Sequence, residues 1–311
     1  RRDRRPRLSV ADPIEPLLGP EVLARLKGCA LRADRVMHGR LQGIHRSAHQ
    51  GASVEFSEHK EYTPGDELRH VDWRAVARFD HYFVKRFEHE TNTNACVVID
   101  GSASMGYGAE GRLTKYEYAA VIATCLGLLL LRQQDALGAV LFDESPRLEI
   151  RPRTGMGHLR QLTEALDTHE PQGETGLEAA LDRARVLTGK RGLVYVLSDC
   201  LSDPEPMGRA LGRLTAAGHQ VTVLQLLDGD ELDLPFTEAV DFHGLETQHR
   251  LLVEPRAIRD HYQRRMSAHL NAVEEACARA RAKSTLVDTR TAPIEIVMGL
   301  VGRETSTSRS A

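Results

Sequence analysis

Runs rich in apolar residues alternate with helix patterns between residues 95 and 227, and this alternation constrains the fold more than any other feature. Continuous apolar runs of this length are typical of strands that are buried on both faces of a parallel sheet. The runs are Ala95–Ile99, Ala136–Phe142, Leu193–Leu197 and Gln220–Leu227. We therefore predict an α/β fold, a doubly wound and mostly parallel sheet with helices on both faces.

Helix and strand signals complete this outline. Thr114 and Glu117 have the spacing of a capping box, which predicts a long apolar helix that ends near Gln133. Further helices are predicted at Glu21–Leu41, Gly157–His169, Glu174–Thr188, Asp203–Ala217, Pro255–Lys283 and Pro293–Val301. Short strands are predicted at the sheet edge (Arg147–Ile150), as a polar-faced pair within Phe242–Val253, and at Thr285–Val287.

Composition excludes several classes of protein. The 41 Lys and Arg residues nearly balance the 44 Asp and Glu residues, so bulk charge gives no sign of nucleic-acid binding. The basic start, Arg1–Arg7, is typical of a solvated terminus. Five dispersed cysteines without a C-x-x-C pair argue against zinc or a disulfide framework. The longest apolar stretch, Ala119–Leu131, is shorter than the roughly 20 residues of a membrane span. We expect a cytoplasmic protein.

The segment Asp100–Ser104 places one carboxylate and two hydroxyls directly after the first buried strand. Ligands of open α/β sheets bind at the carboxyl ends of the strands. Three hard oxygens suit a hard divalent cation and leave coordination positions open. In the alternative interpretation the same residues cap and turn the chain after a strand, and no metal is involved.

Asp100, Ser102 and Ser104 form a D-x-S-x-S element, and Met105 follows it. This element resembles that of von Willebrand factor A-type domains, which hold Mg²⁺ in a metal-ion-dependent adhesion site. The resemblance implies a threonine on a later loop and an aspartate after a later strand, and Thr175 and Asp199 lie in the right order. The implied ligands of Mg²⁺ (or Mn²⁺) are Asp100, Ser102, Ser104, Thr175 and Asp199, with the aspartates acting largely through water.

A second group of motifs precedes the first strand. Its order is E-F at Glu55, Y-x-x-G-D-x-x-R-x-x-D-W from Tyr62 to Trp73, A-R at Ala77, and K-x-x-E from Lys85. Followed by D-x-S-x-S-M, this order resembles a bacterial family known as domain of unknown function 58, a variant A-type domain. Members are often encoded beside MoxR-type AAA+ ATPases, so the resemblance implies such an ATPase as partner.

Three parts are predicted: an N-terminal helix and β-rich segment that carries the family motifs (1–92), an A-type domain with a C-terminal extension (93–302), and a tail (303–311) whose Ser/Thr-rich composition predicts disorder. The charged residues of the first part invite a functional interpretation. We favour a buried ion-pair and turn network, with Trp73 as its hydrophobic anchor, that involves Asp66, Arg69, Asp72 and Arg78.

No catalytic set emerges from the sequence. A nucleophile elbow at Ser104 would need glycine at position 102, and a phosphoaspartyl mechanism at Asp100 would usually want a second acid there. Arg112 and Leu113 replace the Lys and Ser/Thr of a Walker loop. We predict a non-enzymatic adaptor or co-chaperone whose Mg²⁺ reads an Asp or Glu of its partner. The alternative is a metal-dependent hydrolase that acts on a phosphate ester at the same sheet edge.

Overall fold

The computed structural model of the protein describes residues 54–61, 83–89, 93–245 and 250–306. The predictions for the helix at Glu21–Leu41, the Tyr62–Trp73 motif and the residues after 306 lie outside the described residues. The chain divides into two compact units, one of which is Arg35–Asn92. Within that unit, β1 (Val54–Glu61) and β2 (Phe83–His89) pair antiparallel, with a break in register between Phe56 and Glu58.

The other unit is built on a six-stranded sheet. Its strands are β3 (Asn94–Asp100), β4 (Ala136–Phe142), β5 (Pro146–Arg153), β6 (Gly192–Ser198), β7 (Gln220–Leu227) and β10 (Lys283–Asp288), and a separate hairpin joins β8 (Val240–His243) to β9 (Arg250–Val253). The order in the sheet is β10-β7-β6-β3-β4-β5, and only β5, at the edge, is antiparallel to its neighbour. The predicted α/β fold is confirmed.

Helices cover both faces of this sheet. They are α1 (Lys115–Arg132), α2 (Met156–Thr168), α3 (Leu177–Thr188), α4 (Pro204–Ala216), α5 (Gly229–Asp233), α6 (Pro255–Arg279) and α7 (Pro293–Ser306). Val97 and Ile99 of β3 pack with α1, α2 and α7 in one core, whereas Cys96 and Val98 pack with α3, α4 and α6 in the other. The two cores follow from the alternation of side chains along a strand.

The topology puts a switch point between β3 and β6. From β3 the chain crosses through α1 to β4 on one side, and it later returns to the other side of β3 as β6. Because α1 and α4 leave these two strands on opposite faces, a crevice opens at their carboxyl ends. Asp100 is the last residue of β3, and Asp199 directly follows β6.

The structure differs from the sequence predictions at three places. The hairpin β8–β9 has the predicted polar face, with Asp241, His243 and Arg250 exposed, but it also exposes Leu251 and Leu252 by 63% and 75%. Helix α7 continues to Ser306, so residues 303–306 of the predicted tail are helical, since Arg and Glu are good helix formers. The short helix α5 follows β7 unpredicted. In the described ranges, no helix combines the length and apolar character needed to cross a bilayer.

Candidate functional site

The first part of the site is the turn after β3. Asp100 is buried, and its Oδ1 accepts the backbone N–H of Ser102 at 3.0 Å, which curls the chain back over the strand end. A single 3-10 turn, Ala103–Gly106, follows and presents Ser104 beside the strand end. The turn predicted as the alternative to a metal site is therefore present, whereas Ser102 makes no side-chain cap to the 3-10 turn.

The second part comes from the neighbouring strand β6. Ile99 pairs with Leu197 in the parallel register, so Asp100 and the pair Ser198–Asp199 emerge side by side. Ser198 donates its hydroxyl to Asp100 Oδ2 at 2.6 Å, and Asp199 Oδ2 accepts the hydroxyl of Ser104 at 2.7 Å. The two strand ends are thus joined by two hydrogen bonds between side chains.

The third part is the loop between α2 and α3, which carries Thr175. The carbonyl of Gly173 accepts Ala103 N–H at 2.9 Å, and Gly176 N–H donates to the carbonyl of Asp143 at 2.6 Å. A Cβ atom at Gly176 would clash with the backbone of Glu144, so only glycine allows this approach. The result is a hydrogen bond of 3.0 Å from the Thr175 hydroxyl to Asp100 Oδ2.

All five residues predicted from the resemblance lie in one hydrogen-bonded cluster. The hydroxyls of Ser102 and Ser104 are 3.3 Å apart, and this contact links the Asp100 side of the cluster to the Asp199 side. Asp100, Ser102 and Asp199 are buried, whereas Ser104 and Thr175 are half-buried. The face of the cluster that solvent reaches therefore consists of hydroxyl groups.

Three residues of the site were missed by the sequence analysis. Ser198 is one, and the others are Lys115, at the start of α1, and Glu231, in α5. The Lys115 ammonium lies 2.8 Å from Asp199 Oδ2 and 2.6 Å from Glu231 Oε1, and its side chain is fully buried. Glu231 is held in turn by the N–H of Asp228, which its Oε2 accepts at 2.8 Å.

Burial dominates the electrostatics of this cluster. Loss of hydration, together with the charge of Asp199, raises the pKa of Asp100 to about 6, although hydrogen bonds from Ser198 and Ser102 oppose the shift. Burial alone would lower the pKa of Lys115, but Asp199 and Glu231 outweigh it and raise that pKa above its usual value. The cluster thus holds three carboxylates and one ammonium, which pairs with two of them, Asp199 and Glu231. The surplus of negative charge favours a further cation.

The oxygens of this cluster match the chemistry of a hard divalent ion. Hydroxyl and carboxylate oxygens are ligands of Mg²⁺, which keeps several waters and needs few carboxylates. A serine or threonine hydroxyl that donates to a carboxylate can turn its hydrogen aside and offer a lone pair. In the part of the chain that the structure describes, no three His, Cys, Asp or Glu side chains form a metal cluster of their own. A metal here would depend on the hydroxyls.

In the described residues, carboxylates rather than a histidine accept the half-buried hydroxyls of this cluster. The hydroxyl of Ser104 donates to Asp199, and that of Thr175 donates to Asp100. Among the described residues no histidine bonds these hydroxyls, and the nearby His169 contacts the carbonyl of Gly101 at 3.0 Å. A Cβ at Gly101 would overlap the ring of His169, which also lies against Tyr116. His169 therefore packs against the turn and supports it.

The doubly wound sheet, with polar residues gathered at its β3–β6 switch point, is the arrangement expected from the resemblance to von Willebrand factor A-type domains. Within that class the chain belongs to the family described as "Protein of unknown function DUF58", whose match spans residues 58–272. An uncharacterized protein of Mycobacterium tuberculosis (strain H37Rv) is 29% identical over 255 residues, which are 80% of this chain and 79% of that protein. An uncharacterized protein of Mycobacterium bovis matches equally well.

Solved structures are similar at low identity. The conserved hypothetical protein BatB from Bacteroides thetaiotaomicron aligns with a TM-score of 0.43 and 12% identity, over 69% of this chain and 99% of that one. The SpRpn10 VWA domain aligns with a TM-score of 0.41 and 12% identity, over 66% of this chain and 94% of that one. These likenesses concern the fold alone.

Proposed function

We propose that this chain is a non-enzymatic protein–protein interaction module whose site binds Mg²⁺ (or Mn²⁺) and reads a carboxylate of its partner. The observation that carries the proposal is the hydrogen-bonded cluster of two buried aspartates and three hydroxyls at the switch point. Ser102, Ser104 and Thr175 supply neutral oxygens to the ion. Asp100 and Asp199 supply charge, largely through bound water.

A metal held mainly by neutral oxygens keeps its affinity for anions. When bound, the ion would leave one position open for an Asp or Glu side chain of a partner. The half-buried Ser104 and Thr175 lie on the solvent side of the cluster, where such a side chain would approach. Ser104 and Thr175 donate their hydroxyls to the two carboxylates proposed to serve the metal, and among the described residues no histidine bonds these hydroxyls, which favours binding over catalysis.

Calorimetric titration of Mg²⁺ and Mn²⁺ tests the metal claim. We expect saturable binding to the unmodified protein and a loss of at least about tenfold in affinity for Asp100→Ala. Asp143→Asn is the matched control, because Asp143 is equally buried after the adjacent strand β4 but is bonded by Arg147 at 2.6 Å. Equal affinity in the unmodified protein and Asp100→Ala, or no binding to either, would refute the metal site.

The partner proposed from the family resemblance is a MoxR-type AAA+ ATPase, which this protein would serve as adaptor or co-chaperone in the cytoplasm. We expect purified ATPase and this protein to associate in Mg²⁺ and to separate in EDTA, by more than high salt alone achieves. Asp199→Ala should weaken the association in the same way. If the association survives both EDTA and Asp199→Ala, the metal plays no part in this protein–protein contact.

The same variants distinguish the proposed interaction module from the alternative, a metal-dependent hydrolase. A phosphatase and esterase screen with added Mg²⁺ should give no turnover above background. Turnover of a phosphate ester that disappears in Asp100→Ala would replace the interaction module with a metal-dependent hydrolase.

A further inference from the structure

Lys115 is a fully buried cation inside the candidate metal site. Its ammonium contacts Asp199 Oδ2 at 2.8 Å and Glu231 Oε1 at 2.6 Å. Buried charges are costly unless they are paired, so this placement needs both carboxylates. We propose that Lys115 is the resident cation of the site: it holds the metal-free cluster together and opposes the entry of a divalent ion. This inference rests on the metal site proposed above.

Hydrogen bonds anchor the groups on both sides of the ammonium. Lys115 is the first residue of α1, where the capping box of Thr114 fixes the helix start and the Lys115 N–H donates to the carbonyl of Tyr107 at 2.8 Å. On the far side, Glu231 is held at both ends. Its Oε2 accepts the N–H of Asp228, and its carbonyl accepts the hydroxyl of Tyr262 at 2.6 Å. The lysine is therefore clamped between two anchored carboxylates.

A divalent ion would share its anionic ligand with this ammonium. Asp199 Oδ2 accepts both Ser104 and Lys115, so an ion that draws on Ser104 and Asp199 comes close to the positive charge. The positive charges of the ion and of the Lys115 ammonium would then repel each other strongly, because the site is shielded from water. The lysine thus keeps the affinity for a bare metal ion low. A carboxylate from a partner restores negative charge, so metal and partner should each strengthen the binding of the other.

Substitutions of Lys115 and Glu231 that remove or keep charge separate this role from a packing role. Lys115→Met removes the positive charge and keeps most of the side-chain volume. We expect Mn²⁺ to bind it at least tenfold more tightly than the unmodified protein, which is about 1.4 kcal/mol. Glu231→Gln makes the cluster less negative and should weaken Mn²⁺ at least threefold. Lys115→Arg keeps the charge, and its Mn²⁺ affinity should stay within threefold of the unmodified protein.

Thermal unfolding gives a second readout of the same variants. Without metal, Lys115→Met leaves Asp199 and Glu231 buried and unpaired, so its melting temperature should fall by several degrees. Saturating Mn²⁺ should raise that temperature by more than it raises that of the unmodified protein. If Lys115→Met does not fold, Glu231→Gln and Lys115→Arg carry the test, because the first should weaken Mn²⁺ at least threefold whereas the second should leave the affinity within threefold.

The outcomes distinguish this inference from the proposed function. Equal Mn²⁺ affinity in the unmodified protein, Lys115→Met and Glu231→Gln would overturn the role of Lys115 and leave the metal site standing. Binding to Lys115→Met alone would support the role of Lys115 and would overturn a metal-dependent function for the unmodified protein. If neither the unmodified protein nor any variant binds Mn²⁺ at millimolar concentration, both the role of Lys115 and the proposed metal site are overturned.

Discussion

Two buried aspartates at the same edge of the sheet are held in different ways. Asp228 follows β7 and is as inaccessible as Asp100 after β3. Its Oδ1 accepts the N–H of Asp230 at 2.9 Å and lies 3.5 Å from the guanidinium of Arg112. Its Oδ2 accepts the hydroxyl of Thr289 at 2.9 Å. With Glu231, Asp228 forms the capping box that begins α5.

Asp100 has only one such fixed partner, the N–H of Ser102, and its other oxygen accepts the hydroxyls of Thr175 and Ser198. A backbone N–H or a guanidinium can only donate, but a hydroxyl can turn and offer a lone pair to a cation. Burial is therefore the same for the two acids, and the donors around them differ. The donors indicate which acid stabilises a turn and which suits a metal.

The largest effect expected from this comparison concerns the stability of the Asp228 cap. Asp228→Ala removes the cap of α5 and leaves the N–H of Asp230 and the hydroxyl of Thr289 without their acceptor. We expect the free energy of unfolding to fall by about 2–3 kcal/mol in urea denaturation. The affinity for Mn²⁺ should remain within threefold. A larger loss of metal affinity with intact stability would reverse the roles assigned to the two acids.

The opposite change is expected at Asp100. Asp100→Asn keeps the shape and the acceptor for Ser102, removes the repulsion with Asp199, and lets Thr175 and Ser198 accept the new amide. Because burial raises the pKa of Asp100 to about 6, its ionised form costs stability at neutral pH. We expect the metal-free protein to gain about 1–2 kcal/mol in urea denaturation. The stabilisation by Mn²⁺ should disappear, and a loss of metal-free stability would contradict this account.

The sequence predicts the strands that carry the site better than the contacts between the side chains within it. The apolar runs locate β3, β4 and β6, and the end of each strand places Asp100 and Asp199 at one edge. Ser102 and Ser104 follow from their closeness to Asp100 along the chain. Thr175 is reached through the family resemblance, because only the folded loop shows that Gly173 and Gly176 bring it to Asp100.

Lys115 and Glu231 could not be predicted, because their contact joins residues 116 positions apart. A lysine at the start of a helix ordinarily suggests an exposed side chain. One signal was available: a positive charge in the first turn opposes the helix dipole, which indicates a compensating partner elsewhere. Likewise, nothing local shows that the leucines of β9 are exposed, since burial of a hairpin face depends on what packs against it.

A third buried carboxylate, at the opposite edge of the sheet, sharpens the comparison. Asp135 precedes β4, is 7% exposed, and accepts the N–H of Thr93 at 2.9 Å. Burial raises its pKa to about 6, and the bond from Thr93 only partly opposes this. It thus has a perturbed pKa like that of Asp100, but no nearby carboxylate is among the causes of the shift. A raised pKa alone therefore does not identify a metal site.

The smallest predicted effect is that of Asp135→Asn, which keeps the acceptor for Thr93 and removes the charge. The folded-state pKa of about 6 lies above the usual 3.8, so the carboxylate destabilises the fold increasingly as pH rises between these values. We expect Asp135→Asn to gain about 0.5–1 kcal/mol at pH 7.5 and nothing at pH 4, measured by urea denaturation. Its stabilisation by Mn²⁺ should equal that of the unmodified protein. A gain that is independent of pH would mean that packing, and not the buried charge, sets the stability at this position.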